Sequence, residues 1–270
     1  KGTEATLSID WKIDLSTIRK IQKKMTPKLI QDNNINTSIK DKVLIKKPFI
    51  LLVHGATGGS ETKYMKSLIN ILEEKYSWAI CHYRGINDTP LSTNQAMDFG
   101  MNGDTEFLID YFINHPQFRT SCVVNDKNCF FIVGVSMGAN LVSKVITNKP
   151  KFYQNHIQGF VSISNPLLLA PLDLKNRWKP LDKFILYRYK SIISKHEILK
   201  SNKTINVDSI LKDTKSCYQY DDEYVVKVNK GKYKNSFDYY NKVSCGKNLN
   251  KISIPSLFMN SYKDSLNAIE

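Results

Sequence analysis

No apolar run in this 270-residue chain is long enough to cross a bilayer. Phe49–Val53 and Phe130–Val135 are among the longest, far below the roughly 20 residues a spanning helix needs. The first residue is Lys1, and no basic segment followed by an apolar core comes after it, so no secretory leader is legible. Cysteine is sparse and unpatterned. Cys81, Cys122, Cys129, Cys217 and Cys245 are odd in number and widely spaced, with no C-x-x-C, which argues for free thiols in a reducing compartment and against a structural zinc. Internal repeats are also missing. A hydrophobic content of 41% with 11% aromatics excludes a disordered or collagen-like chain.

Acidic residues are in short supply. Lys and Arg number 39 against 25 Asp and Glu, a formal net charge of +14. Such an excess would suit nucleic acid or an anionic membrane surface. The basic residues are mostly Lys, however, spread over Asn-rich segments at 12–47, 175–203 and 227–251, and drift toward Lys and Asn gives the same total with solvated faces alone. No zinc-finger or helix-turn-helix spacing occurs, nor the alternation of aromatic and basic residues that stacks bases, which argues against nucleic acid. Docking on anionic membranes stays open as a reading of the charge.

What is present is an alternation of short apolar runs with amphipathic stretches. Residues 5–11 read as an early strand, and 13–47, polar and without a period, as a long loop or insertion. Residues 48–53, 78–83, 130–135 and 157–163 read as strands, the apolar ones buried on both sheet faces. Between them, 62–76, 104–114 and 139–148 carry apolar residues at helical spacing. Residues 165–250 are polar and aromatic, with a helical stretch at 181–193, and 254–260 returns to a buried strand. The order predicts an α/β fold: a doubly wound, mostly parallel sheet with a helical insertion. The expected organisation is a core over 1–164, a cap or lid over 165–250 and a return to the core over 251–270.

One string stands out for its context. Gly134-Val135-Ser136-Met137-Gly138 lies between a buried strand and a helix, which turns a common G-x-S-x-G into a nucleophile elbow. The glycines remove side chains that would collide at the sharp turn, and Ser136 is expected in a strained backbone with its hydroxyl presented. His54-Gly55-Ala56-Thr57-Gly58-Gly59 follows another buried strand. Acyl transfer needs two preorganised N–H donors for the developing oxyanion, and the N–H groups of Ala56 and Met137 are the candidates. His54 belongs to that loop and reads as a brace rather than a base.

A serine hydroxyl needs a base oriented by an acid, in the chain order Ser, acid, His. Asp264 falls just past the last strand, where the acid belongs. All five histidines (His54, His82, His115, His156 and His196) precede it. Of these only His196, in the insertion, is a conceivable substitute, so the catalytic His is expected after residue 270.

The chain resembles the α/β-hydrolase-fold serine hydrolases of the YheT-like, embryogenesis-associated branch. The resemblance rests on Ile9-Asp10-Trp11, His54-Gly55-Ala56-Thr57-Gly58-Gly59-Ser60, Tyr83-Arg84-Gly85, Pro90-Leu91 and Asp104. It continues through Gly134–Asn140, Ser162-Ile163-Ser164-Asn165-Pro166, Ile185-Leu186-Tyr187, Phe237-Asp238-Tyr239-Tyr240 and Ile254-Pro255-Ser256-Leu257. It implies a serine esterase or lipase acting on medium or long acyl esters, glycerolipids and phospholipids included, with a triad of Ser136, Asp264 and a later His. The acid loop departs from the branch, reading Lys263-Asp264-Ser265 where D-D-P or N-D-P is usual. Animal members often carry an anchoring helix before the core, and a fragment starting at Lys1 could have lost one. A cytoplasmic or membrane-associated location follows.

Three readings remain. The leading one is an esterase or lipase working through an acyl-enzyme on Ser136, with no metal or organic cofactor. An acyltransferase or thioesterase would use the same acyl-enzyme with another acceptor or leaving group. A non-catalytic relative binding lipid or protein gains from the missing His. Leu167, Leu168, Leu169, Trp178, Phe184 and Tyr187 suit either a lid over an acyl channel or the packing of a helical cap.

Overall fold

A computed structural model describes residues 7–12, 23–25, 47–114, 123–124, 127–169 and 179–262. The first half runs β1 (Leu7–Lys12), β2 (Lys23–Met25), β3 (Phe49–Val53), α1 (Lys63–Leu72), β4 (Ser77–His82) and α2 (Asn102–Asn114). A small hairpin, β5 (Val123–Val124) and β6 (Lys127–Asn128), precedes β7 (Phe130–Val135), α3 (Met137–Asn148), α4 (Pro150–Gln154) and β8 (Gly159–Ile163). Helices α5 (Lys179–Ser194), α6 (Glu197–Lys200), α7 (Val207–Asp213) and α8 (Cys217–Tyr220) follow. A wider helical turn over Asp221–Val226 extends α8, and α9 (Ser236–Val243) and a tight turn over Gly246–Lys251 lead to β9 (Ser256–Met259).

The strands form one seven-stranded sheet in the order β2-β1-β4-β3-β7-β8-β9. From β4 to β9 every neighbour is parallel, and β1 and β2 join antiparallel at one edge. After β3 the chain builds β4 on one side and then returns to place β7 on the other. The order therefore reverses between β3 and β7, the crevice where open α/β sheets place their ligands. Register puts the ends level: Val53 pairs with Cys81 on one side and Gly134 on the other, and Val135 pairs with Ile163. The residues after those strands, His54, Tyr83, Ser136 and Ser164, thus share one rim of the sheet.

Alternation along β3 explains the layers. Phe49, Leu51 and Val53 point into the larger core with Leu108, Phe112, Leu141 and Val145 of α2 and α3. Ile50 and Leu52 face the other way, against Met65 of α1. A strand covered on both faces must be apolar throughout, as the sequence of β3 is.

The doubly wound, mostly parallel sheet agrees with the sequence reading, with two differences. Lys23–Met25, inside the stretch read as a loop, pairs antiparallel with β1; three residues carry too little pattern to signal a strand, and the rest of 13–47 lies largely outside the described residues. The final strand, read as buried, has Leu257 and Met259 more than half exposed. Its composition suits a buried strand, but among the described residues β9 is outermost in the sheet, with a strand neighbour on one side only. Among the described residues no helix is long and apolar enough to cross a membrane.

Candidate active site

Ser136 joins β7 to α3 with φ 52° and ψ −120°, a backbone state that L-residues avoid. Strain of this kind costs about 1–3 kcal/mol and persists only where the surroundings enforce it. Here the Ser136 N–H donates to the Ile163 carbonyl at 2.8 Å, fixing the turn to the end of β8. Both flanking glycines are required by contact. A β-carbon on Gly134 would lie 2.6 Å from the Ala139 Cα, and one on Gly138 2.2 Å from the Val53 carbonyl oxygen. Strand and helix can therefore meet, and α3 can press against the end of β3, only with hydrogen at those positions.

Two asparagines lock the next layer. Asn140 donates to the Pro166 carbonyl at 3.0 Å, while Asn165 donates to the hydroxyls of Ser143 at 3.1 Å and Ser162 at 3.0 Å. The segment after β8 is thereby tied to the first turns of α3. Across the rim, the Asn260 side chain donates to the Asn165 carbonyl at 2.8 Å and accepts its N–H at 3.1 Å.

The loop after β3 meets the elbow at Gly55, where an added β-carbon would lie 3.3 Å from Ser136 Cβ. The Gly58 N–H donates to the Gly55 carbonyl at 3.0 Å, and the Gly55 N–H donates to the Tyr64 hydroxyl at 3.0 Å. His54 is fully buried, with Nδ1 2.6 Å from the Gly55 carbonyl and its ring edge-on to Tyr83, 4.4 Å between centroids. Burial drives its pKa down to about 3, which leaves the imidazole neutral. It is a loop brace. Among the described residues the backbone N–H groups of Ala56 and Met137 find no acceptor, and the Ser136 hydroxyl has no partner.

Three of the expected site residues, Ser136, Ala56 and Met137, thus lie on the facing ends of β3 and β7. Asp264 lies outside the described residues. None of the four described histidines pairs with Ser136. His82 lies 2.9 Å from Asp10, His156 2.8 Å from the Phe152 carbonyl, and His196 3.2 Å from the Gly85 carbonyl at the end of β4. His196, the one substitute base considered, is therefore engaged elsewhere.

Two features of the site were not legible as contacts. The Ser60 hydroxyl donates to Asp10 at 2.5 Å and His82 shares the same carboxylate oxygen, which pins the far end of the loop to β1. The His82 bond, ahead of the Ser60 bond, holds the Asp10 pKa below the usual aspartate value despite partial burial. Arg84 makes a two-pronged pair with Asp104, at 2.6 and 2.5 Å, joining the turn after β4 to the first turn of α2. Four of these residues, Asp10, Ser60, Arg84 and Asp104, belong to the motifs that carry the resemblance, which was their only available signal; His82 lies just before one of them and carried none.

No protein-family profile matches the chain. It is 23% identical over 231 residues to a monoacylglycerol lipase of Saccharomyces cerevisiae, covering 82% of this chain and 48% of that protein. It is 27% identical over 225 residues to phospholipase ABHD3 of Bos taurus, covering 81% and 51%. It is also 27% identical over 135 residues to the embryogenesis-associated protein EMB8 of Picea glauca, covering 48% and 26%. The chain spans about half the length or less of these relatives. Among solved structures, the monoacylglycerol lipase of Paleococcus ferrophilus aligns over 82% of this chain and 76% of its own, with a TM-score of 0.46 and 15% identity. A bacterial membrane phospholipase A aligns over 83% and 66%, with a TM-score of 0.45 and 15% identity. The mostly parallel sheet, the switch point between β3 and β7 and the strained serine turn after β7 are those of the α/β-hydrolase fold, and the chain has that fold.

Proposed function

We propose that the chain is the core of a serine hydrolase that cleaves carboxylic esters of medium- or long-chain acyl groups, lipids or phospholipids, through an acyl-enzyme on Ser136. The observation that carries this reading is the backbone of Ser136, held at φ 52° by a bond to β8 while its hydroxyl stays unpaired. A structural serine would not need that strain. In the proposed reaction Ser136 Oγ adds to the ester carbonyl as its proton passes to the base. The resulting oxyanion is held by the N–H groups of Ala56 and Met137, donors free of other partners. Collapse expels the alcohol, which takes the proton, and water then releases the acid by the same steps.

Asp264 is proposed as the acid orienting a histidine base that lies after Glu270. The names of the relatives support lipid esters as the substrate class. The cysteines fit a reducing compartment. The test is turnover of acyl esters of graded chain length by a chain extended past Glu270. Activity should rise from acetyl to longer chains and vanish in Ser136→Ala. Equal turnover of all lengths would remove the lipid substrate, and turnover surviving Ser136→Ala would remove the mechanism.

A further inference from the structure

The side chains of α5 separate cleanly by direction. Leu186, Tyr189 and Ile193 are buried, with Tyr189 packed on Tyr220 at 5.1 Å between ring centroids. Lys190 also turns inward, donating to the carbonyls of Leu211 at 2.7 Å and Thr214 at 2.8 Å. Asp182, the one acidic residue of the helix, accepts the Cys217 N–H at 3.3 Å. Between its first and last turns the exposed residues of the helix are Lys183, Phe184, Tyr187 and Arg188, on one helical face by their spacing. Phe184 is 57% exposed and Tyr187 68% exposed.

Single exposed apolar residues are ordinary, but two large rings on one helical face, framed by cations and left without a carboxylate, are not a solvent-facing pattern. The face also has a definite position. Arg188 reaches the Thr57 carbonyl at 3.3 Å, so it borders the loop that carries the candidate oxyanion donor Ala56. Lys179 precedes the pair by one turn and Lys195 follows the helix end, both exposed. The nearest acidic residue downstream, Glu197, is engaged by Lys200.

We infer that the Lys183–Phe184–Tyr187–Arg188 face of α5 docks the chain on an anionic lipid bilayer, with the aromatic rings entering the headgroup region. The chemistry fits this occupant: rings of this kind settle at the membrane interface, and each nearby basic residue adds about fivefold to partitioning on an anionic surface. A second copy fits worse, because it brings another net charge of +14 and the same cations to the contact. The use of such docking, though not the docking itself, rests on the lipid-hydrolase reading: it would hold the loop after β3 against the layer that contains the ester.

The test is flotation of the 270-residue chain with phosphatidylcholine vesicles, with and without phosphatidylserine. The chain should float with the anionic vesicles and come off as salt is raised about tenfold, which shortens the screening length about threefold. Lys183→Glu/Arg188→Glu should weaken binding at least tenfold, and Phe184→Ser/Tyr187→Ser about tenfold, with unchanged circular dichroism and melting. No flotation, equal flotation with neutral vesicles, or full binding by both variants would overturn the proposal. So would binding to polyglutamate that depends on Lys183 and Arg188 but not on Phe184 and Tyr187, which would make the partner an acidic protein. Fluorophosphonate labelling of Ser136 in a chain extended past Glu270 separates the two readings, since docking without labelling of that extended chain counts against the hydrolase alone.

Discussion

The hydroxyl of Tyr64 accepts the backbone N–H of Gly55 at 3.0 Å, closing the loop after β3 onto the start of α1. Gly55 in turn lies against Ser136, so one phenol fixes the distance between the loop and the elbow. Burial of the hydroxyl end raises the Tyr64 pKa and keeps the phenol protonated across the working range. Tyr64→Phe keeps the ring and strands the Gly55 N–H. The expected cost is about 1–3 kcal/mol in urea denaturation, together with slower modification of Ser136. A variant with unchanged stability and labelling rate would show that the bond does not hold the loop.

Glycine substitutions should separate enforced positions from free ones. Gly138→Ala drives a β-carbon to within 2.2 Å of the Val53 carbonyl and should cost several kcal/mol, on the order of the larger single-mutant effects. Gly103, in the first turn of α2, meets nothing within 4 Å, so Gly103→Ala should stabilise by about 0.5–1 kcal/mol. Thermal melts of the two variants should move in opposite directions.

Stability should fall in acid in two separate windows. His54 titrates near 6.5 when unfolded and near 3 when buried, so the unfolded chain binds the extra proton between those values. Stability is then lost as pH drops below about 6.5, by about 1.4 kcal/mol per pH unit. Asp10 has a lowered pKa, so its contribution is present above the ordinary value of 3.8 and is lost as pH falls through the depressed one. In urea titrations His54→Gln should flatten the slope above pH 4, whereas Asp10→Asn should change the slope only below it. A wild-type slope unaffected by His54→Gln would contradict the buried neutral imidazole.

Arg84 and Asp104 are both largely shielded, with 8% and 14% of their side chains exposed. Removing one partner leaves the other, largely shielded charge without its counter-ion. Asp104→Ala should cost about 3–5 kcal/mol, and removing both partners should cost less than the sum of the single variants. A double-mutant cycle checks this, and strict additivity would show that the pair is not coupled.

The strands of the core were readable because each is a short, continuous apolar run, and the elbow because Ser136 sits where such a run meets a helical period. The loop after β3 was readable for the same reason. Asp10, Ser60 and His82 were not, since a contact across 50 or 72 residues leaves no local pattern. Much of the helical segment after α5 escaped because its core is built from Tyr220, Tyr224, Tyr239 and Tyr240, whose hydroxyls and rings blur the apolar period. The Tyr240 hydroxyl, for one, is spent on Asp221 at 2.5 Å. The exposure of β9 depends on its place in the sheet, which composition does not encode.

The most direct test of Ser136 as the nucleophile is fluorophosphonate labelling of the 270-residue chain beside one extended past Glu270, each with a Ser136→Ala control. The account predicts strong labelling in the extended chain, little in the shorter one, and none in either Ser136→Ala variant. Labelling that persists in Ser136→Ala, or no labelling of either chain, would contradict it.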